Sequence, residues 1–149
     1  MAIPTLTPDF KEFLRLLNEN KVEYLLIGGY AVGYYGYVRA TADLDVWIAS
    51  NAENASRAVV ALREFGFDVP ELSEELFLRS ETIARMGVPP FRIEVLTSIS
   101  GVSFEECYKE RVVDLIDGVE VPIINLRHLK MNKSASGRLK DLVDLEHLP

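Results

Sequence analysis

The sequence is poor in the residues that usually announce a site: one cysteine, Cys107, and two histidines in 149 residues. A lone cysteine excludes an internal disulfide framework and any multi-cysteine zinc site. No apolar run approaches the ~20 residues of a membrane span, and the first residues lack the basic flank and apolar stretch of a secretory leader. The chain is therefore expected to be cytoplasmic, with no membrane partner. Internal repeats, low-complexity tracts and linkers are absent too, so residues 1–149 are read as one domain. Positive charge is scarce: 16 Lys and Arg stand against 23 Asp and Glu, for a net charge of −7. That balance excludes a protein that coats DNA non-specifically.

What is present is an ordinary globular composition, 48% hydrophobic and 26% charged, which excludes intrinsic disorder. A chain of this length buries roughly 68–70% of its unfolded surface, enough for one core without staples. The charge is unevenly placed. Residues 127–140 hold Arg127, Lys130, Lys133, Arg138 and Lys140 and no carboxylate, so an acidic body carries a local +5. Cations that handle phosphates beside carboxylates that hold a metal would produce such a pattern.

The order of elements follows from caps, turns and periodicity. Thr7-Pro8 caps a helix whose apolar residues are Phe10, Phe13, Leu14 and Leu17. Val22 to Ile27 reads as a buried strand ending at Gly28-Gly29, with a short helix from Tyr30. Leu44, Val46 and Ile48 alternate with Asp43, Asp45 and Trp47 in a second strand. Asn51 or Asn54 caps the next helix. Thr82 to Met86 and Phe91 to Leu96 form a hairpin. Ser103 and Glu106 read as a capping box, and Asp117-Gly118 as a tight turn between Val112–Ile116 and Val119–Ile124. Asn125 caps a helix through Lys133, Ser136-Gly137 ends it, and Leu139 to Leu145 supports a last one. The fold class is α+β, a mixed α/β sheet with helices packed on it.

Asp43 and Asp45 are the leading chemical candidates. In a strand, side chains at i and i+2 share a face, with Cα atoms about 6.6 Å apart. Two carboxylates aimed at one place repel unless a cation lies between them, and a hard ion such as Mg²⁺ takes oxygen ligands. Two such ions about 3.5–4 Å apart would bridge the entering and leaving oxygens of a phosphoryl transfer. The competing reading is a solvated strand face. Gly28-Gly29 tilts the balance, because glycines between a strand and a helix start let backbone N–H groups approach an anion. Glu94, flanked by Ile93 and Val95, completes a three-carboxylate cluster if its face matches, and it could help deprotonate an attacking hydroxyl; otherwise it faces water or pairs with Arg92. Arg39 and Thr41 are candidate phosphate contacts, with ion pairing to the acidic body as the alternative. His128 and His147 lack a Ser or Cys partner and read as surface or helix-end residues. Cys107 reads as packing, and the tyrosines from Tyr30 to Tyr37 as core and rim.

Taken together, Leu26-Ile27-Gly28-Gly29-Tyr30-Ala31, Arg39-Ala40-Thr41-Ala42-Asp43-Leu44-Asp45-Val46 and Arg92-Ile93-Glu94-Val95 resemble the nucleotidyltransferase superfamily related to DNA polymerase β. Gly29 and Asp43 have 13 residues between them, within that family's usual spacing. The chain is most similar to its small bacterial members, including abortive-infection type toxins, through Leu126-Arg127-His128-Leu129-Lys130 and Gly137-Arg138-Leu139-Lys140-Asp141-Leu142-Val143-Asp144. The resemblance implies a nucleotidyltransferase-like fold and Mg²⁺-dependent transfer of an NMP from an NTP to a hydroxyl of a protein, RNA or small molecule. The alternative is a catalytically idle relative that binds a nucleotide or a partner protein. It further implies that Gly28, Gly29 and Tyr30 hold the triphosphate and that Asp43, Asp45 and Glu94 are the catalytic and metal-ligating acids, serving two Mg²⁺ ions. Lys133 would lie near the phosphates, with Arg138 beside it and Asp141 as a further functional acid. An antitoxin or a second copy would be the protein partner. Two departures stand out: Gly29 where Ser is commoner, which removes a hydroxyl donor, and Glu94 where Asp is frequent.

Overall fold

A computed structural model describes residues 6–41 and 43–149; Ala42, between Thr41 and the acidic pair, lies outside them. The chain opens with α1 (Pro8–Glu19), where the Thr7 hydroxyl accepts from the Phe10 amide. Strand β1 (Tyr24–Ile27) is buried along its whole length and runs directly into α2 (Gly28–Tyr34). Next come β2 (Asp43–Ile48) and α3 (Ala52–Phe65), capped by Asn51. The strands β3 (Ile83–Met86) and β4 (Arg92–Leu96) form the expected hairpin. Then α4 (Phe104–Lys109) leads to a second hairpin, β5 (Val112–Ile116) and β6 (Val119–Ile123). Two helices finish the chain: α5 (Leu126–Ser136), capped by Asn125, and α6 (Leu139–His147).

Six strands form one mixed sheet in the order β3-β4-β2-β1-β6-β5. The pairs β1/β6 and β2/β4 are parallel and the other three antiparallel. Period-2 alternation then decides what each face carries. Leu44, Val46 and Ile48 of β2 and Ile93 and Val95 of β4 point to one face and are buried in the core with Phe10, Phe13 and Leu62. Asp43 and Asp45 of β2 and Arg92 and Glu94 of β4 point to the other. Further along that second face Trp47 is buried edge-on against Phe104 of α4, with ring centroids 5.2 Å apart. One face of the sheet is thus polar at one end and apolar at the other, and the polar end forms the site.

Two expectations change on contact with the structure, and one element was not foreseen. Ser103 precedes α4, but its side chain makes no capping bond, so the Ser103/Glu106 pattern places the helix start without forming a capping box. His128 is not a surface residue. As the third residue of α5 its amide donates to the Asn125 side chain, and its ring is buried at 3% exposure, with Nε2 3.2 Å from Arg127. A 3-10 helix over Glu74–Leu78, which periodicity does not reveal, buries Phe77 completely.

Candidate active site

The site is built from the start of β2, the facing residues of β4, the β1–α2 junction and α5. Because β2 and β4 pair in parallel register, Asp43 lies beside Arg92 and Asp45 beside Glu94. One carboxylate oxygen from each of Asp43, Asp45 and Glu94 lies within 4.8 Å of the others. Glu94 therefore shares the face of the aspartates, and the three acids converge.

The glycines have a steric purpose. A Cβ on Gly28 would stand 2.3 Å from Asp45 Oδ2, and its φ of +67° is one that L side chains rarely adopt. Only glycine lets the β1–α2 bend pass so close to the acid. At Gly29 a Cβ would lie 2.6 Å from the Thr41 hydroxyl and 3.3 Å from Arg39 Nη1. The hydroxyl missing from position 29 is thus answered in space by that of Thr41. Tyr30 turns its side chain away into the core, edge-on to Phe10 at 5.8 Å. What it can offer a ligand is its backbone amide, since first-turn N–H groups of a helix have no intrahelical acceptor and no side chain caps α2.

The three acids are held differently. Arg92 grips Asp43 with two parallel bonds, Nε to Oδ1 and Nη2 to Oδ2, both 2.9 Å, and this charge-assisted fork keeps the Asp43 carboxyl below its ordinary range. Glu94 is reached more loosely, by Arg92 Nη2 at 3.3 Å and Arg85 Nε at 3.5 Å. Among the described residues Asp45 has no such partner. Its Oδ1 is buried without a hydrogen bond among the described residues. Burial first, and the charges of Glu94 and Asp43 second, raise its pKa to about 7. A buried carboxylate oxygen without a donor has a meaning: a cation at that place would satisfy it. The all-oxygen donor set and its spacing suit a hard divalent ion.

A cleft of about 710 Å³ opens over the acids. Gly28, Gly29, Arg39, Thr41, Lys133, Arg138 and Lys140 also line it. The basic stretch is not a free cationic surface, however. Lys133 is 5% exposed and lies 3.1 Å from both Asp141 Oδ1 and Asp144 Oδ2. Arg39 forks onto Asp144 at 2.7 and 2.8 Å, and Arg138 and Ser136 donate to Asp141 Oδ2. Burial opposes ionisation of Asp141, but the bonds from Ser136, Arg138 and Lys133 outweigh it and hold its pKa at about 2. Arg127 leaves the cluster altogether and pairs with Glu110 at 2.9 Å. Of the residues expected at the site, Asp141 is the one drawn furthest inward, buried beneath the cleft wall as a counter-ion.

Several participants escaped the sequence reading. Asp144, which closes the Gly137–Asp144 stretch of the resemblance without an assigned role, anchors both Arg39 and Lys133. Arg92, considered there as a partner of Glu94, binds Asp43 more closely. Arg85 and Ser136 carried no signal.

No family model matches the chain, and no curated protein matches it. Structural comparison does find a likeness. A Thermotoga maritima protein whose crystal structure is described as that of "a putative nucleotidyltransferase" aligns with a TM-score of 0.63 over 92% of this chain and 88% of its own. The two are 14% identical, so what they share is the fold. The chain has the α+β nucleotidyltransferase-like fold, and its acidic cluster lies at the β1–α2 bend of that scaffold. Among the described residues no helix is long and apolar enough to cross a membrane.

Proposed function

We propose that the protein is an Mg²⁺-dependent nucleotidyltransferase that moves an NMP from an NTP to a hydroxyl group, residues 1–149 acting as a single domain. One observation carries this reading: three carboxylates converge beside a glycine bend, and one of them, Asp45, keeps a buried oxygen with no hydrogen-bond partner among the described residues. Asp43, Asp45 and Glu94 would hold Mg²⁺, as one ion or two. When bound, the metal would neutralise charge on the phosphates and on the attacking oxygen.

The chain's own residues account for the rest. Amides of Gly28, Gly29 and Tyr30, the Thr41 hydroxyl, and Lys140 and Arg138 at the rim supply donors and positive charge for the triphosphate. Arg39 and Lys133 are committed to Asp144 and Asp141, so their part is to fix the cleft wall and lend it charge. The acceptor oxygen attacks the α-phosphorus, the bond to the bridging oxygen of the β-phosphate breaks, and pyrophosphate leaves. The hydroxyl proton passes to a carboxylate of the cluster. Glu94, held only by the looser contacts from Arg92 at 3.3 Å and Arg85 at 3.5 Å, is the acid of the three best placed to take it.

The acceptor class is a protein, an RNA or a small molecule. By its resemblance to abortive-infection type toxins, a toxin role with an antitoxin as partner, in the cytoplasm, belongs to the same proposal. The test is transfer of label from α-labelled NTPs to cellular acceptors by wild type, Asp43→Ala and Asp45→Ala. Transfer confined to wild type is expected, and transfer that survives both substitutions removes the acids from the chemistry. A second reading is favoured by one contact, the Arg92 fork that occupies both oxygens of Asp43: an idle nucleotide-binding relative. Calorimetry showing NTP binding, with no turnover on any acceptor, would establish it.

A further inference from the structure

Arg92 is placed where a metal ion would otherwise be needed. It stands beside Asp43 in the β2/β4 register, takes both Asp43 oxygens at 2.9 Å, and reaches Glu94 Oε1 at 3.3 Å with the same Nη2. One guanidinium thus bridges two of the three acids, while the third keeps a buried oxygen without a donor among the described residues. Carboxylate lone pairs engaged by a guanidinium fork are not available to a cation, and the +1 charge repels a second positive group.

We propose that Arg92 is a tethered counter-ion that competes with the divalent cation for Asp43, so that loading of the site requires the guanidinium to let go. This rests on the metal-binding reading of the cluster given above. The pair is partly open to solvent, with side-chain exposures of 31% for Arg92 and 23% for Asp43, so the fork is breakable. Glu94 offers an alternative contact that is already in reach. Arg92 also lines the cleft, where its freed donors would face a phosphate. The device keeps like charges from facing one another in the absence of metal, at the expense of metal affinity.

The experiment is a titration of the full chain with Mn²⁺ alone, read by loss of the free-ion electron paramagnetic resonance signal. Wild type, Arg92→Gln, Arg92→Lys and Asp45→Asn are compared, and circular dichroism checks that each is folded. Removing the fork is expected to tighten Mn²⁺ about tenfold in Arg92→Gln, equivalent to about 1.4 kcal/mol. Arg92→Lys keeps the charge and loses the second prong, so it should fall between the two. If Arg92→Gln does not fold, Arg92→Lys decides, and an affinity equal to wild type overturns the proposal. Mn²⁺ binding that Asp45→Asn weakens but Arg92→Gln leaves unchanged overturns the competition alone and spares the metal site. Binding insensitive to Asp45→Asn removes the metal site, and the competition with it.

Discussion

Asp45 gives the sharpest test of the site's electrostatics, because an amide can imitate its protonated form. Burial and two neighbouring carboxylates raise its pKa from 3.8 to about 7 in the folded chain. Between those values the native state keeps a proton that the unfolded state has lost, so stability falls as pH rises through the window. Above pH 7 the penalty is complete. At about 1.4 kcal/mol per pH unit it is on the order of 4 kcal/mol, and relaxation of the site reduces it to about 2–4. In Asp45→Asn the penalty disappears. The variant should match wild type near pH 4 and exceed it at pH 8, with a melting temperature higher by about 5–15 °C for a chain of this length. Thermal unfolding of both proteins at pH 4, 6 and 8, with EDTA to keep the site free of metal, reads this directly. A difference that is the same at all three pH values, or a less stable variant at pH 8, would refute the claim that Asp45 is a buried acid pressed by like charges.

The same acid predicts the behaviour of added metal. Mg²⁺ or Mn²⁺ should raise the melting temperature more at pH 8 than at pH 6, because at pH 6 Asp45 must first release its proton; equal shifts, or shifts that persist in Asp43→Asn/Asp45→Asn, contradict it. Gly28→Ala forces a Cβ against Asp45 Oδ2 at a positive φ and should cost about 1–3 kcal/mol in urea unfolding while abolishing the metal-induced shift. Lys133→Met strands the buried Asp141 and Asp144 and should destabilise by about 3–5 kcal/mol near neutral pH. Asp141 titrates near 2 against 3.8 unfolded, so its contribution is present above pH 4 and lost as pH falls toward 2; Lys133→Met should therefore flatten the acid limb of the stability curve.

How much of this was legible before the fold was known depends on whether the cause is local. Asp43, Asp45 and Glu94 could be found because period-2 alternation is written into each strand by its apolar neighbours. The Gly28-Gly29 turn was readable for a similar reason, as a strand that stops short of a helix. Their convergence is another matter. It needs β2 and β4 to lie side by side in parallel, with Asp45 opposite Glu94, across the intervening α3, 3-10 helix and β3. Nothing in either strand specifies that register, and the Arg92–Asp43 fork is a consequence of it.

The basic stretch makes the opposite point. Counted as charge, residues 127–140 look like cations free to meet phosphates. In the fold Lys133 is spent on two acids from the next helix, Arg138 on one of them, and Arg127 on Glu110. The missing information was burial: Asp141 and Asp144 are 0% and 1% exposed, and acids so placed must recruit partners. Their demand explains Lys133 and Arg138, which lie within 3.1 Å of these acids, and Glu110 takes Arg127 at 2.9 Å. Lys140 lines the cleft, and among the described residues no carboxylate pairs with it, which makes it the cation of that stretch best able to answer a ligand.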